Sequence, residues 1–270
     1  MRKNFKTILF ITICSATTTF AGKSTVDWSY TGNNGPSYWG NLDTSFSACH
    51  SGKTQSPINI ANSVKPASFD LAIKYQSAPL VIVNDGETSL MINHKPVIIH
   101  QGHAVQLNFA PNGTKEIIVF KGKAYHLKEF HFHTPGETAV NGKIEPMEIH
   151  FVHQSEDEQV AVLAVLVREG EANQELAEII DDIPTDHGVA HEVTNETVNP
   201  VNLMPLKKSY YYFAGSLTTP PCTEGLHWIV MPDTITASKE QIDAFKKAVG
   251  GDNARPLQPG NQRNIYYSVE

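Results

Sequence analysis

Residues 128–137 read Lys-Glu-Phe-His-Phe-His-Thr-Pro-Gly-Glu. His131 and His133 lie two apart with Phe130 and Phe132 interleaved, and side chains two apart on a β-strand share a face. The alternation predicts a strand with both imidazoles on one side and both phenylalanines on the other. A second strand is predicted over Met-Glu-Ile-His-Phe-Val-His, residues 147–153. On it His150 shares a face with Glu148 and Val152, while His153 points away. Two neighbouring antiparallel strands can bring His131, His133 and His150 around one ion. Three imidazoles with a fourth position left to water form the donor set of a catalytic zinc site, not a closed structural one. An isolated His-x-His pair is more often two hydrogen-bonded histidines than a metal site. The third histidine beside an in-strand glutamate changes that weighting, because a buried carboxylate needs a partner and a ligand imidazole needs orienting through its far nitrogen.

The chain has 270 residues, enough for one large domain or two small ones. Its first 21 residues read as a secretory signal. Arg2, Lys3 and Lys6 precede an apolar run from Ile8 to Cys14, and Thr19-Phe-Ala21 offers a small-residue cleavage site. The run is too short to span a bilayer. Ile13 is bulky where a lipid-anchored Cys14 would need a small neighbour, so cleavage after Ala21 and release from the membrane are expected. Residues 22–270 are then a single domain in the periplasm or outside the cell. The formal net charge of −7 becomes more negative without the basic leader, which disfavours nucleic acid and anionic membrane as partners. Cys49 and Cys222 remain, and an even number in an exported chain suggests one disulfide. Closing so long a loop would stabilise the fold by about 4–5 kcal/mol on the chain-entropy model.

Strands are expected at 80–84, 89–93, 97–100, 105–109, 116–120, 125–133, 147–153, 160–168, 210–213 and 226–231, with turn signals such as Asp85-Gly86 and Asn141-Gly142 between several of them. The nearly continuous apolar run at 160–167 reads as buried on both faces. Residues 28–57, rich in Gly, Asn, Ser and aromatics, read as irregular coil packed on a core. Helices are expected at 171–183, ended by Pro184, and after the capping box Ser238-Lys-Glu-Gln241, ended by Gly250. The fold class is mainly β, one domain with a few peripheral helices.

In sequence order, Gly35-Pro36 with Trp39, Gln55-Ser-Pro-Ile-Asn59, Gln101-Gly-His103, Glu129-Phe-His-Phe-His133, Glu148-Ile-His150, Gly215-Ser-Leu-Thr-Thr-Pro-Pro221 and Asn253-Ala-Arg-Pro256 together resemble the alpha-class carbonic anhydrases of the exported bacterial kind. The resemblance runs from Trp28 to about Arg263. It implies a large twisted, mostly antiparallel sheet with a conical cleft. It also implies a zinc lyase of one-carbon metabolism that hydrates carbon dioxide to bicarbonate through hydroxide held on zinc. By the same resemblance His131, His133 and His150 are the zinc ligands, oriented by Glu129 and Glu148. Thr218 is the gatekeeper donating to an ionised Glu137, and His103 is the proton shuttle. Thr218 and Thr219 lie near substrate, and Val152, Val162, Leu217, Leu226 and Trp228 form the apolar wall that holds it. Cys49 and Cys222 match the disulfide of exported members. Anions and sulfonamides are the implied inhibitors, ester hydrolysis a weak side activity, and a monomer or homodimer the implied assembly. Without the resemblance, Thr218-Thr-Pro-Pro is an ordinary edge or turn sequence, and the apolar five are ordinary core residues.

Two departures stand out. Glu129 occupies a place where many members carry Gln, and a carboxylate there adds negative charge beside the metal. Phe213 stands where a hydroxylated aromatic is frequent. Two rivals remain at this stage. A cupin-type iron or manganese enzyme would use His131, His133 and Glu137 as ligands, but Tyr125 stands where that pattern begins with Gly. A binding protein without catalysis would typically have lost one of the histidines.

Overall fold

The alternation around His131 is realised in the strand Lys123–His133, which lies inside a twelve-stranded sheet. A computed structural model of the protein describes residues 26–61, 64–100, 104–109 and 115–269. The expected signal segment and His103 lie outside them. Across the sheet the order is Ala190–Val198, Ala78–Asn84, Val105–Asn108, Lys123–His133, Met147–Gln154, Val160–Glu169, Glu224–Ala237, Tyr210–Ser216, Ile265–Ser268 and Val64–Ala67. Ile117–Phe120 also pairs with Lys123–His133 and carries Leu71–Lys74 on its other side. Pairing is antiparallel except between Val160–Glu169 and Glu224–Ala237, and between Ile265–Ser268 and Val64–Ala67. The mainly β, mostly antiparallel expectation holds.

Register sets what each face of the sheet carries. One cross-strand row runs Gln106, His131, His150, Ala164, Val230, and the next runs Glu129, Val152, Val162, Trp228, Phe213. Because alternate residues share a face, these rows, with His133 opposite Glu148 two residues further along, present all three histidines to the same side as Val152, Val162 and Trp228. The opposite side carries Phe130, Phe132, Ile149, Phe151, Leu163, Val165, Ile229 and Met231, buried in the main core. The helix Lys239–Ala248 closes that core. Ser238 and Gln241 form the expected capping box, and Ile242 and Phe245 face inward, with the Phe245 and Phe132 rings 4.2 Å apart. Its stop, Gly250, has φ +77°, a left-handed conformation that glycine adopts without a Cβ clash.

Several boundaries differ from the sequence expectation, each for a local reason. The helix expected at 171–183 spans Gln174–Asp181, because Asn173 stays extended and its side chain caps Leu176 N–H. The segment expected as coil contains two short helices, Trp39–Leu42 and Ala48–Ser51. These pack with Trp28 and Phe46 around the bonded Cys49–Cys222 pair, whose Cα atoms are 5.0 Å apart. Ala190–Val198 was not expected as a strand. It is an exposed, polar edge strand with a register break, so it lacks the alternation that marks a half-buried strand. Glu87–Ile92 and Lys95–His100 pair only with each other, joined by Asn93 and His94, both at positive φ. This is the tight two-residue turn that suits a hairpin's twist.

His153 faces the main core. Its Nδ1–H donates to Ala161 O (3.2 Å), and Nε2 accepts from the Tyr75 hydroxyl (2.7 Å). That arrangement suits a neutral imidazole, and burial lowers its pKa to about 3. The unfolded chain binds this proton near pH 6.5 and the folded chain near 3. The contribution to stability is therefore intact above 6.5 and lost as pH falls through that window. Urea unfolding at pH 6.5 and 4.5 should show wild type losing about 2 kcal/mol more than His153→Gln over that interval. Equal losses would remove His153 from the acid response.

Candidate metal centre and apolar pocket

The three histidines meet as their register requires. His131 lies directly opposite His150 across the ladder, and His133 opposite Glu148. One ligand nitrogen from each imidazole lies within 4.8 Å of the other two, and all three side chains are buried. Each ring is held by its other nitrogen. His131 Nδ1 donates to the Glu129 carboxylate (2.9 and 3.1 Å), His133 Nδ1 to the Asn253 carbonyl (2.7 Å), and His150 Nε2 to Glu148 Oε1 (2.9 Å). This leaves His131 Nε2, His133 Nε2 and His150 Nδ1 to point at a common ligand. His133 Nε2 has no hydrogen-bond partner within the protein. Burial, with the neighbouring His150, holds His131 and His133 well below the ordinary imidazole range, so both stay neutral and able to ligate. Burial also opposes charge on His150, but the carboxylates of Glu148, Glu137 and Glu129 outweigh it and raise that pKa. An oriented, nitrogen-only donor set fits zinc, whose charge would displace a proton from His150 on binding.

Glu148 is a hub. Burial would raise its pKa, but His150 and the Thr138 donors bring it to about 2. Its Oε2 accepts from the N–H groups of Glu137 and Thr138 (2.7 and 2.6 Å) and Oε1 from the Thr138 hydroxyl (2.8 Å). Glu137 is buried beside the trio, its Oε2 3.6 Å from His133 Nε2 and 4.0 Å from His150 Nδ1. Its other oxygen accepts from Arg255 N–H (2.7 Å). Burial lifts Glu137 to about 7 against the pull of His150, Arg255 N–H and the Thr218 hydroxyl. A bound cation would shift it further towards the carboxylate. Thr218 is near enough to lower this pKa, although Glu137 Oε2 has no hydrogen bond of ordinary length.

Above the histidines lies a pocket lined by His131, His150, Val152, Val162, Leu217, Thr218, Thr219, Trp228 and Ile99. Trp228 is fixed by its indole N–H donating to Ser216 O (2.9 Å) and by the parallel Phe213 ring. Leu226, expected on this wall, is buried in the same apolar cluster but is not one of the residues lining the pocket. Phe213 contributes ring stacking in place of a hydroxyl.

Sequence reasoning assigned no role to Asn253, Thr138, Arg255 or Ile99. Asn253 and Arg255 lie more than a hundred residues along the chain from the groups they hold, so no local spacing could have linked them. The only sequence signal was the marker Asn253-Ala-Arg-Pro256 itself.

A family model described as eukaryotic-type carbonic anhydrase matches residues 34–269. A protein of Neisseria gonorrhoeae named carbonic anhydrase is 38% identical over 96% of this chain and 95% of its own. A hyperthermostable carbonic anhydrase from an active hydrothermal vent chimney superposes with a TM-score of 0.79 at 37% identity, covering 90% of this chain and all of its own. The alpha-carbonic anhydrase of Thermovibrio ammonificans, solved with the inhibitor sulfanilamide, gives 0.73 at 36% identity, covering 89% and 99%.

Metal analysis of purified, chelator-stripped and reloaded protein should find about one zinc per chain. His131→Ala should abolish that uptake, and His153→Ala, on the other face, should retain it. Equal retention by both variants would disprove the site.

Proposed function

The chain belongs to the alpha class of the carbonic anhydrase family and is an enzyme of that family, and we propose that it hydrates carbon dioxide reversibly at a zinc ion held by His131, His133 and His150. The observation that carries this reading is the convergence of three buried, oriented imidazole nitrogens within 4.8 Å, beside an apolar pocket that His131 and His150 help to line. Zinc supplies Lewis acidity there, bringing water to ionise near neutral pH, a magnitude for which carbonic anhydrase itself is the standard example.

The protein's residues do the rest. Glu129, Glu148 and the Asn253 carbonyl select the tautomer of each ligand ring and hold it in plane. Glu137 as a carboxylate accepts from Arg255 N–H and is the acceptor for the Thr218 hydroxyl. The Thr218 oxygen then accepts from the attacking oxygen and aims its lone pair at carbon. Val152, Val162, Leu217 and Trp228 hold apolar carbon dioxide, with Leu226 in the same buried cluster and Thr218 and Thr219 close to the bicarbonate product. His103 passes the released proton to buffer, in the range where an imidazole titrates. Small anions and aromatic sulfonamides are the inhibitor class, the latter supported by the sulfanilamide complex of the Thermovibrio relative.

Export to the periplasm or beyond follows from the basic-then-apolar leader 1–21, ahead of a single domain at 22–270, and from the bonded Cys49–Cys222 pair. No helix of the described residues is long and apolar enough to cross a membrane. Monomer and homodimer are both compatible with the fold.

Stopped-flow hydration should be lost on chelation and restored by zinc, and an inactive reloaded protein would refute the function. His103→Ala should lower kcat at low buffer concentration by about tenfold or more and be rescued by imidazole. An unchanged, unrescued kcat would exclude that shuttle. The Glu129 carboxylate adds negative charge behind His131, which disfavours deprotonation of the attacking water. The Glu129→Gln pH–rate profile should therefore shift to lower pH, and superimposable profiles would exclude the effect.

A further inference from the structure

The three histidines are held by different kinds of partner. His133 donates to a backbone carbonyl, that of Asn253, and His131 lies against both oxygens of Glu129. His150 is held by one oxygen of a side-chain carboxylate, and that oxygen is shared. Glu148 Oε1 accepts from His150 Nε2–H (2.9 Å) and from the Thr138 hydroxyl (2.8 Å). Oε2 accepts from the backbone N–H groups of Glu137 (2.7 Å) and Thr138 (2.6 Å). Thr138 therefore donates to both oxygens of a single carboxylate, once from its backbone and once from its side chain. Gly136 packs on the same side chain, where an added Cβ would stand 3.3 Å from Glu148 Cβ and 3.4 Å from Oε2.

Given the zinc site proposed above, we infer that Thr138 is a positioning residue for the metal centre. Its hydroxyl fixes the plane of the Glu148 carboxylate and, through it, the direction in which His150 Nδ1 points. The torsion that turns a glutamate carboxylate has only broad preferences, so the plane must be set by hydrogen-bond partners. The two backbone N–H groups hold Oε2 and leave Oε1 able to swing about it. The hydroxyl removes that freedom. An ionised carboxylate only accepts, so the hydroxyl proton is committed to Oε1 and the ring proton of His150 has one defined acceptor.

Burial makes this hydroxyl hard to replace. Glu148 is 0% exposed and Thr138 1%, so bulk water does not reach Oε1 to donate in its stead. The same contacts hold the backbone of residues 137 and 138 against Glu148. The segment that carries the Glu137 carboxylate is thereby tied to the strand that carries His150.

The test reads zinc itself. Apoprotein of wild type, Thr138→Val and Thr138→Ser is titrated with zinc in competition with a chelator of known affinity, and the same apoproteins are unfolded in urea. Thr138→Val keeps the branched shape and the backbone donor but loses the hydroxyl, whereas Thr138→Ser keeps the hydroxyl. Thr138→Val should raise the zinc Kd by about tenfold or more, the scale found when outer partners of a ligand imidazole are removed. Thr138→Ser should restore most of that loss. A purely structural role would lower the urea stability of the apoprotein and leave the zinc Kd of folded protein where it was. An unchanged Kd in Thr138→Val, or an equal loss in Thr138→Ser, would overturn the role of the hydroxyl, while zinc uptake by wild type leaves the metal centre standing. Wild type that binds no zinc would overturn both. If Thr138→Val does not fold, Thr138→Ala is read in its place.

Discussion

The site depends on the register between the strands Lys123–His133 and Met147–Gln154. With His131 opposite His150 and His133 opposite Glu148, three imidazoles and one carboxylate are committed to the same face. A slip of one residue would send all of them into the aromatic core and bring Phe130, Phe132 and Phe151 to the pocket. That core therefore helps to build the candidate metal site. The packed phenylalanines and the helix carrying Phe245 stabilise only one pairing, and that pairing is the one that converges the histidines. The register breaks between Val152 and His153, after the last site residue on the strand, so the irregularity spares the geometry that chemistry needs.

Burying so many ionisable groups beside one another is costly unless each has a partner. The structure meets this by tying the hub to distant parts of the chain. Glu148 is satisfied locally by Glu137 N–H and Thr138. Glu137 and His133 are reached from the segment after the last helix, through Arg255 N–H and the Asn253 carbonyl. The Arg255 guanidinium, its pKa lowered to about 10 by burial, donates to Ser56 O and Cys49 O. The C-terminal segment, the N-terminal segment and the Cys49–Cys222 bridge thus converge behind the histidines. In this arrangement the Cys49–Cys222 disulfide and Thr218, four residues before Cys222, belong to one connected unit.

The histidines sit on strands that are laddered on both sides. Lys123–His133 pairs with Met147–Gln154 on one side and with Val105–Asn108 and Ile117–Phe120 on the other, and Met147–Gln154 also pairs with Val160–Glu169. The hairpin Glu87–Ile92/Lys95–His100 pairs only with itself and is anchored by the buried side chains of Leu90, Ile92 and Ile99 and by hydrogen bonds from Gln154 and Gln106.

Local pattern was enough to read much of this in the chain itself. The period-two alternation at Phe130–His133 and at Glu148–Val152 predicted which side chains share a face, and the capping box at Ser238 predicted where the last helix begins. Such features are decided within a few residues by backbone geometry and hydrogen bonding. The edge strand Ala190–Val198 was not legible, because an exposed polar strand carries no burial pattern. The hold of Asn253 on His133, of Arg255 on Glu137, and the place of Ile99 in the pocket wall with His131 and His150 were also beyond local reading. Those depend on which distant segments the folded sheet brings together, and no periodicity in one segment records the partner that it meets across the fold.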